Sequence, residues 1–369
     1  MIVNKKRIQI FDIAKGISII LMTISRYDFA TIYPELIYFQ SIATFFKMPT
    51  FIFISGYLLS KSLNLKSFFY HKIDALLKPL ISFTVSLTFL NIILYVLVSD
   101  EVTLKGAFDI ITNLVRSFYH GSFDTINVSF WFIGGLFLGQ LSLRLFLTVI
   151  DLKKPLSFLS LFAFFILLMT LHTLQIKFYW TEYIPVFFTY LFLGYSFKIL
   201  CARYFDGSAF FYQKSMIIFP ILFATSFLAM KSLRYTIDFN IAALHFNYHY
   251  LLIMSLLGVF SLLFVCRFIE KIPIISSLLV FCSRASFFIL AYHIFIKDIF
   301  LLFFDIKSYN PLLQTFLFFL NITLCCFIFL FLKRVPIIRL FFYPMRSIVV
   351  NEKERKILES KYVVGYLST

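Results

Sequence analysis

Few residues of this chain could move a proton or hold an anion near neutral pH, and they lie in very apolar surroundings. The stretch from Ile8 to Asp28 carries Asp12, Lys15 and Arg26. Asp12 stands three residues before Lys15, close enough on a helix to pair with it. Lys15 and Arg26 are eleven positions apart, nearly in line at about 100° per residue and separated by about 16 Å of rise. Asp12, Lys15, Ile19, Met22 and Arg26 therefore form a polar-ended stripe on one helix face. A charge inside a membrane span costs about 2.5–3.5 kcal/mol on insertion scales, so such residues serve a bundle interior or a polar cavity. The next apolar stretch carries Lys47 just before Met48-Pro49. If the first span runs outward and the second returns, Arg26 and Lys47 converge near the outer membrane face. Two cations there suit a phosphate, a carboxylate or an acidic sugar. Snorkelling toward lipid head groups explains them equally well.

Of the six histidines, His293 sits inside an apolar segment, SRASFFILAYHIFI, beside Tyr292. Imidazole titrates near neutrality and suits proton transfer, although a lone histidine among aromatics also reads as a core residue. His120, His172, His245 and His249 fall in or near outer loops, and His71 in a cytoplasmic one. His245 and His249 share a helical face but have no Cys or carboxylate beside them, so no metal site is expected. The five cysteines show no CxxC spacing and read as free buried thiols. No GxSxG is present to mark a nucleophilic serine, and Ser55 lies in a helix-packing context.

The elements that must position these residues are membrane helices. The chain has 369 residues, 61% hydrophobic and only 14% charged, which excludes an ordinary soluble domain. The net charge of +16 falls in alternate loops, as the positive-inside rule requires, and does not point to nucleic acid. Ten spans are predicted: Ile8–Asp28, Tyr38–Leu59, Leu80–Val98, Val128–Ile150, Leu156–Thr173, Ile184–Leu200, Met216–Met230, Tyr248–Phe268, Ile275–Phe304 and Pro311–Leu332. The basic clusters place both termini in the cytoplasm and the first span is expected to be retained. The expected organisation is one helical domain over 1–335 with a basic, polar cytoplasmic tail over 336–369. In the longest outer loop, GAFDIITNLVRSFYH is amphipathic and either lies on the membrane surface or re-enters the bundle.

Several short patterns go beyond hydrophobicity. Arg7, Asp12 and Lys15-Gly16 lead into the apolar run from Ile17 to Met22. Met48, Pro49 and Phe51 are followed by Ser55-Gly56-Tyr57, and a basic loop closes in Leu76 to Pro79. Trp131-Phe132, the run Phe187 to Tyr195, and Ser286, Ile289 and His293 complete the series. In this order the chain resembles the acyltransferase-3 family of membrane acyltransferases, from about residue 7 to 335. Two departures stand out. The family's first-helix basic residue is Lys15, but the His expected eleven positions later is Arg26, and the His common before Met-Pro is Lys47. A guanidinium, with a pKa above about 12, cannot act as a general base.

The resemblance implies a ten-helix bundle in a cytoplasmic (inner) membrane, in contact with membrane lipids and with no bound cofactor. It implies an acyl-CoA donor, acetyl-CoA first, reaching the bundle from the cytoplasm. The acceptor would be a hydroxyl of an envelope polysaccharide, a lipopolysaccharide or a lipid-linked glycan. Asp12 would orient Lys15, which would neutralise charge on donor or intermediate, and His293 is the remaining motif histidine for proton transfer. Arg26 and Lys47 would hold acceptor or oxyanion, while Ser55, Trp131 and Tyr292 would line the cavity. The alternative is a catalytically silent relative that binds or transports a lipid-linked glycan.

Overall fold

The computed structural model describes residues 8–27, 29, 33–61, 63–98, 103–120, 130–149, 183–205, 207–232, 248–304 and 310–344. The expected span Leu156–Thr173, the tail beyond 344, His172 and His245 lie outside the described residues, as do the side chains of His120 and His249. Among the described residues, seven helices are long and apolar enough to cross a membrane, Leu36–Tyr57, Leu65–Val98, Phe130–Val149, Ile184–Tyr204, Tyr250–Ile269, Ser286–Phe303 and Pro311–Arg334. The chain divides into two compact units, one of 1–59 and 185–326, the other of 60–184 and 327–369.

The first unit contains α1 (Gln9–Ile24), α2 (Leu36–Thr44), α3 (Lys47–Tyr57), most of α8 (Ile184–Tyr204), α9 (Ile218–Ser232), α10 (Tyr248–Ile269), α11 (Pro273–Arg284), α12 (Ser286–Phe303) and the first part of α13 (Pro311–Arg334). Three departures from expectation shape the site. First, α1 stops at Ile24, and Arg26 lies in the turn beyond it, with its N–H on the Thr23 carbonyl at 3.0 Å. The stripe read for the first span therefore ends before Arg26. Second, the second span breaks at Phe45-Phe46, because the Pro49 ring has no N–H and would clash with the carbonyl four residues back. Lys47 thereby becomes the first residue of α3. Third, the segment expected as one span over Ile275–Phe304 is two helices that meet at Ala285, which is fully buried. No Gly or Pro marks that break in the sequence.

Glycines set how these helices cross. A Cβ on Gly56 would lie 2.0 Å from the Leu191 carbonyl oxygen, and one on Gly194 would lie 2.0 Å from that of Phe53. The Ser-Gly-Tyr of α3 and the Leu-Gly-Tyr of α8 are thus two sides of one backbone-to-backbone contact. Gly16 does the same for α1, where a Cβ would sit 2.1 Å from the Leu279 carbonyl oxygen on α11. Rings fill the remaining space: Phe11 packs edge-on against Tyr57 at 4.9 Å and Phe211 at 5.1 Å, and Phe260 meets Phe197 at 4.9 Å and Phe53 at 5.5 Å.

The second unit holds α4 (Leu65–Lys72), α5 (Lys78–Val98), α6 (Leu104–His120), α7 (Phe130–Val149) and α14 (Pro336–Phe342). The loop expected before the third span is helical from Leu65. A π-helical turn over Ile73–Leu77 joins α4 to α5 and contains the Asp74–Lys78 ion pair. The wider turn lets Pro79 enter the helix without its ring striking the preceding turn. Arg144 on α7 is buried, donates from Nη2 to the Leu63 carbonyl at 2.6 Å, and lies 5.9 Å from the Phe68 ring centre.

Candidate functional site

A cationic cluster forms where α1 ends, α3 begins and α12 passes. Its cations come from backbone breaks as much as from helices. Arg26 is exposed in the turn after α1, and Lys47 is half-buried at the first position of α3. The two feel each other electrostatically. His293, only 2% exposed, lies within electrostatic reach of Arg26 and Lys297. Among the described residues, neither Arg26 nor Lys47 has a carboxylate at ion-pair distance. Like charges brought together with no described carboxylate between them repel, so this arrangement favours an anionic guest. The positive end of the α3 dipole adds to the same preference.

The histidine's orientation is fixed by its own helix. His293 Nδ1 lies 2.7 Å from the Ile289 carbonyl oxygen and 3.1 Å from that of Leu290. Two acceptors facing Nδ1 assign the proton to that nitrogen and leave the Nε2 lone pair as the basic position. Nε2 has no hydrogen-bond partner among the described residues. An imidazole held this way has the tautomer that a general base needs, with backbone in the orienting role often filled by a carboxylate.

Three further residues tie the cluster together, and the sequence reading did not select them. Asn321, fully buried on α13, donates from Nδ2 to the Tyr27 hydroxyl at 2.5 Å and to the His293 carbonyl at 2.7 Å. It accepts from the Cys325 thiol at 3.5 Å. Lys297, one turn beyond His293, donates to the Arg26 carbonyl at 2.6 Å and lies 5.7 Å from the Tyr27 ring centre. Asp298 lies within electrostatic reach of Tyr27 and Lys297. The turn bearing Arg26 is therefore pinned to α12 and α13 by Tyr27, Lys297 and Asn321. An Asn and a Lys inside apolar runs were themselves the available signal.

The other residues selected from the sequence sit elsewhere. Asp12 and Lys15 are half-buried near the opposite end of α1, beside the Gly16 crossing, with Lys15 about 14 Å along the helix from Ile24. Ser55 spends its hydroxyl proton on the Phe51 carbonyl at 2.7 Å in its own helix. Tyr292 is buried next to His293, its ring stacked 6.4 Å from Phe288. Trp131 belongs to the second unit, where it packs against Tyr183 at 5.2 Å.

A chain whose described residues hold seven candidate membrane helices and no strand, with buried polar groups on its spans, is a multi-pass membrane protein. Residues 8–331 match the family model described as the acyltransferase domain of the acyltransferase-3 family, so the chain belongs to that family. No curated protein and no solved structure matches it.

Proposed function

We propose that this membrane acyltransferase transfers an acyl group, acetyl in the first instance, from acyl-CoA to a hydroxyl of an envelope glycan or its lipid-linked precursor. The observation that carries this reading is His293. Its Nδ1 proton is held by two carbonyls, and its Nε2 lone pair remains available within reach of Arg26 and Lys297. In the step proposed, Nε2 takes the proton of the acceptor hydroxyl as its oxygen attacks the thioester carbonyl. The C–O bond forms, the C–S bond breaks, and the proton passes from Nε2 to the departing CoA thiolate. Arg26 and Lys47 hold the oxyanion of the tetrahedral intermediate or an acidic group on the acceptor, in surroundings where such charge-assisted contacts are strongest. Asp12 orients Lys15, which meets the donor's charge on the cytoplasmic side. Tyr292 and Ser55 contribute surface rather than chemistry. One helical domain over 1–335, in the inner membrane with both termini in the cytoplasm, completes the proposal.

Arg26 supports one competing reading. It occupies the position of the family's first-helix histidine, as a catalytically silent relative that binds or transports a lipid-linked glycan would allow. Mass spectrometry of envelope glycans from host cells lacking the gene separates the two. Loss of an acyl mass increment, restored by the wild-type chain but not by His293→Gln, is the expected result. An increment seen only with Arg26→His would establish a silenced acyltransferase, and no change with any chain would overturn acyl transfer in favour of glycan binding or transport.

A further inference from the structure

The helix α6 touches α5 along a narrow edge at Gly106 and leaves both a polar and an apolar side uncovered. Its N-terminal turn is the part held to the rest of its unit. The Tyr95 hydroxyl, near the end of α5, accepts from the Thr103 N–H at 3.3 Å and meets the Thr103 hydroxyl at 3.4 Å. Thr103 Oγ1 in turn accepts from the Gly106 N–H at 3.1 Å. A Cβ on Gly106 would come within 2.3 Å of the same Tyr95 oxygen, and Asp109 lies within its electrostatic reach. With Gly106 taken as the zero of rotation, Asp109 falls at about −60°, toward α5. Leu104, Phe108, Ile111 and Val115 fall at about 140–200°, on the far side.

Those four apolar residues are 93%, 67%, 43% and 61% exposed. An uncovered apolar stripe of this length is not stable against water. The same character continues along α5, where Val85, Phe89 and Val96 are 59%, 64% and 50% exposed on a helix apolar enough to span. With Lys105, Asp109, Thr112 and Asn113 among its 17 residues, α6 is too polar to span in its turn.

We propose that α6 is an interfacial helix. Its stripe of Leu104, Phe108, Ile111 and Val115 sinks into the boundary between phospholipid head groups and acyl chains, continuous with the lipid-facing side of α5, while Tyr95 holds its first turn and its polar side faces water. The helix then fixes the depth at which α5 ends and lays a surface about 26 Å long along the membrane. The loop bearing it lies on the membrane and does not re-enter the bundle.

The test uses the full chain in phosphatidylcholine–phosphatidylglycerol vesicles, with bimane on Ile111→Cys or on Thr112→Cys, a further 100° round the helix. Identically treated wild-type chain corrects for the buried native thiols. The expected result is that nitroxide at acyl carbon 5 quenches the Ile111→Cys label several-fold more than nitroxide at carbon 12. Aqueous iodide then quenches the Thr112→Cys label and spares the Ile111→Cys label. Equal iodide quenching at both sites overturns the proposal, as does an Ile111→Cys label that neither lipid nitroxide reaches. Stronger quenching from carbon 12 also overturns it, in favour of re-entry. Phe108→Trp, read by the blue shift of its emission on adding vesicles, provides a second probe without a thiol.

Discussion

The two ends of α1 do different work with comparably recognisable residues. At one end, Lys15-Gly16 and the ring cluster of Phe11, Tyr57 and Phe211 hold helices at backbone contact, and the glycines there are geometric. At the other, Arg26 and Lys297 lie within electrostatic reach of His293 and Lys47 within that of Arg26, where helices stop or break, and Asn321 and Tyr27 secure the turn. The same Ser-Gly-Tyr that makes the family recognisable is a packing device, whereas the chemistry proposed for the site depends on the turn after Ile24 and the break before Lys47. A motif can identify a protein without containing its reactive groups.

The largest effect separating the two ends should come from Gly56→Val or Gly194→Val. Either places a side chain 2.0 Å from a carbonyl oxygen on the partner helix, and helix backbones cannot yield that distance locally. A loss of about 3 kcal/mol or more is expected, read as loss of monodisperse protein in detergent size-exclusion chromatography. If either variant elutes and melts like wild type, the glycine contact is not what positions α3 and α8.

His293→Gln should leave folding intact and lower acyl transfer by about 10²–10⁴-fold, the usual range for a general base. Asn321→Leu comes next. It leaves the His293 carbonyl and the Tyr27 hydroxyl without their donor, at a cost of about 1–3 kcal/mol of stability. As a positioning residue it should lower kcat with KM nearly unchanged, and Asn321→Gln should recover part of the loss. Arg26→Ala and Lys47→Ala should each raise the acceptor KM by about tenfold, as expected when one charge-assisted hydrogen bond is lost. An unchanged KM in both would remove the anion-binding role and leave only head-group contact.

How much of this was legible in the sequence depended on whether a feature is local. Apolar runs anticipated the seven helices that, among the described residues, are long and apolar enough to span, and Pro49 explains the break that puts Lys47 at a helix start. The family resemblance, carried by ordered short motifs, agrees with the match over 8–331. The split at Ala285 was not legible, because no Gly or Pro marks it and the halves are fixed by what they pack against, such as Leu279 on Gly16. Nor was the end of α1 at Ile24, since no Gly or Pro follows it in Ser25-Arg26-Tyr27. The partnership of Asn321 with Tyr27, 294 residues away, is tertiary and leaves no periodic trace.

The smallest predicted effect is also a sharp one. Ser55 sits in the family-like Ser-Gly-Tyr and invites a catalytic reading, yet its hydroxyl already donates to the Phe51 carbonyl one turn back at 2.7 Å. That bond satisfies the proton inside the membrane and keeps the oxygen in its own helix groove. Ser55→Ala removes both donor and need, since the Phe51 carbonyl can keep its ordinary helical partner. Stability should therefore move by less than about 0.5 kcal/mol and acyl transfer by less than about twofold. A loss comparable to that of His293→Gln would move the chemistry from the cationic end of α1 to the glycine crossing, and would reverse the comparison drawn between them.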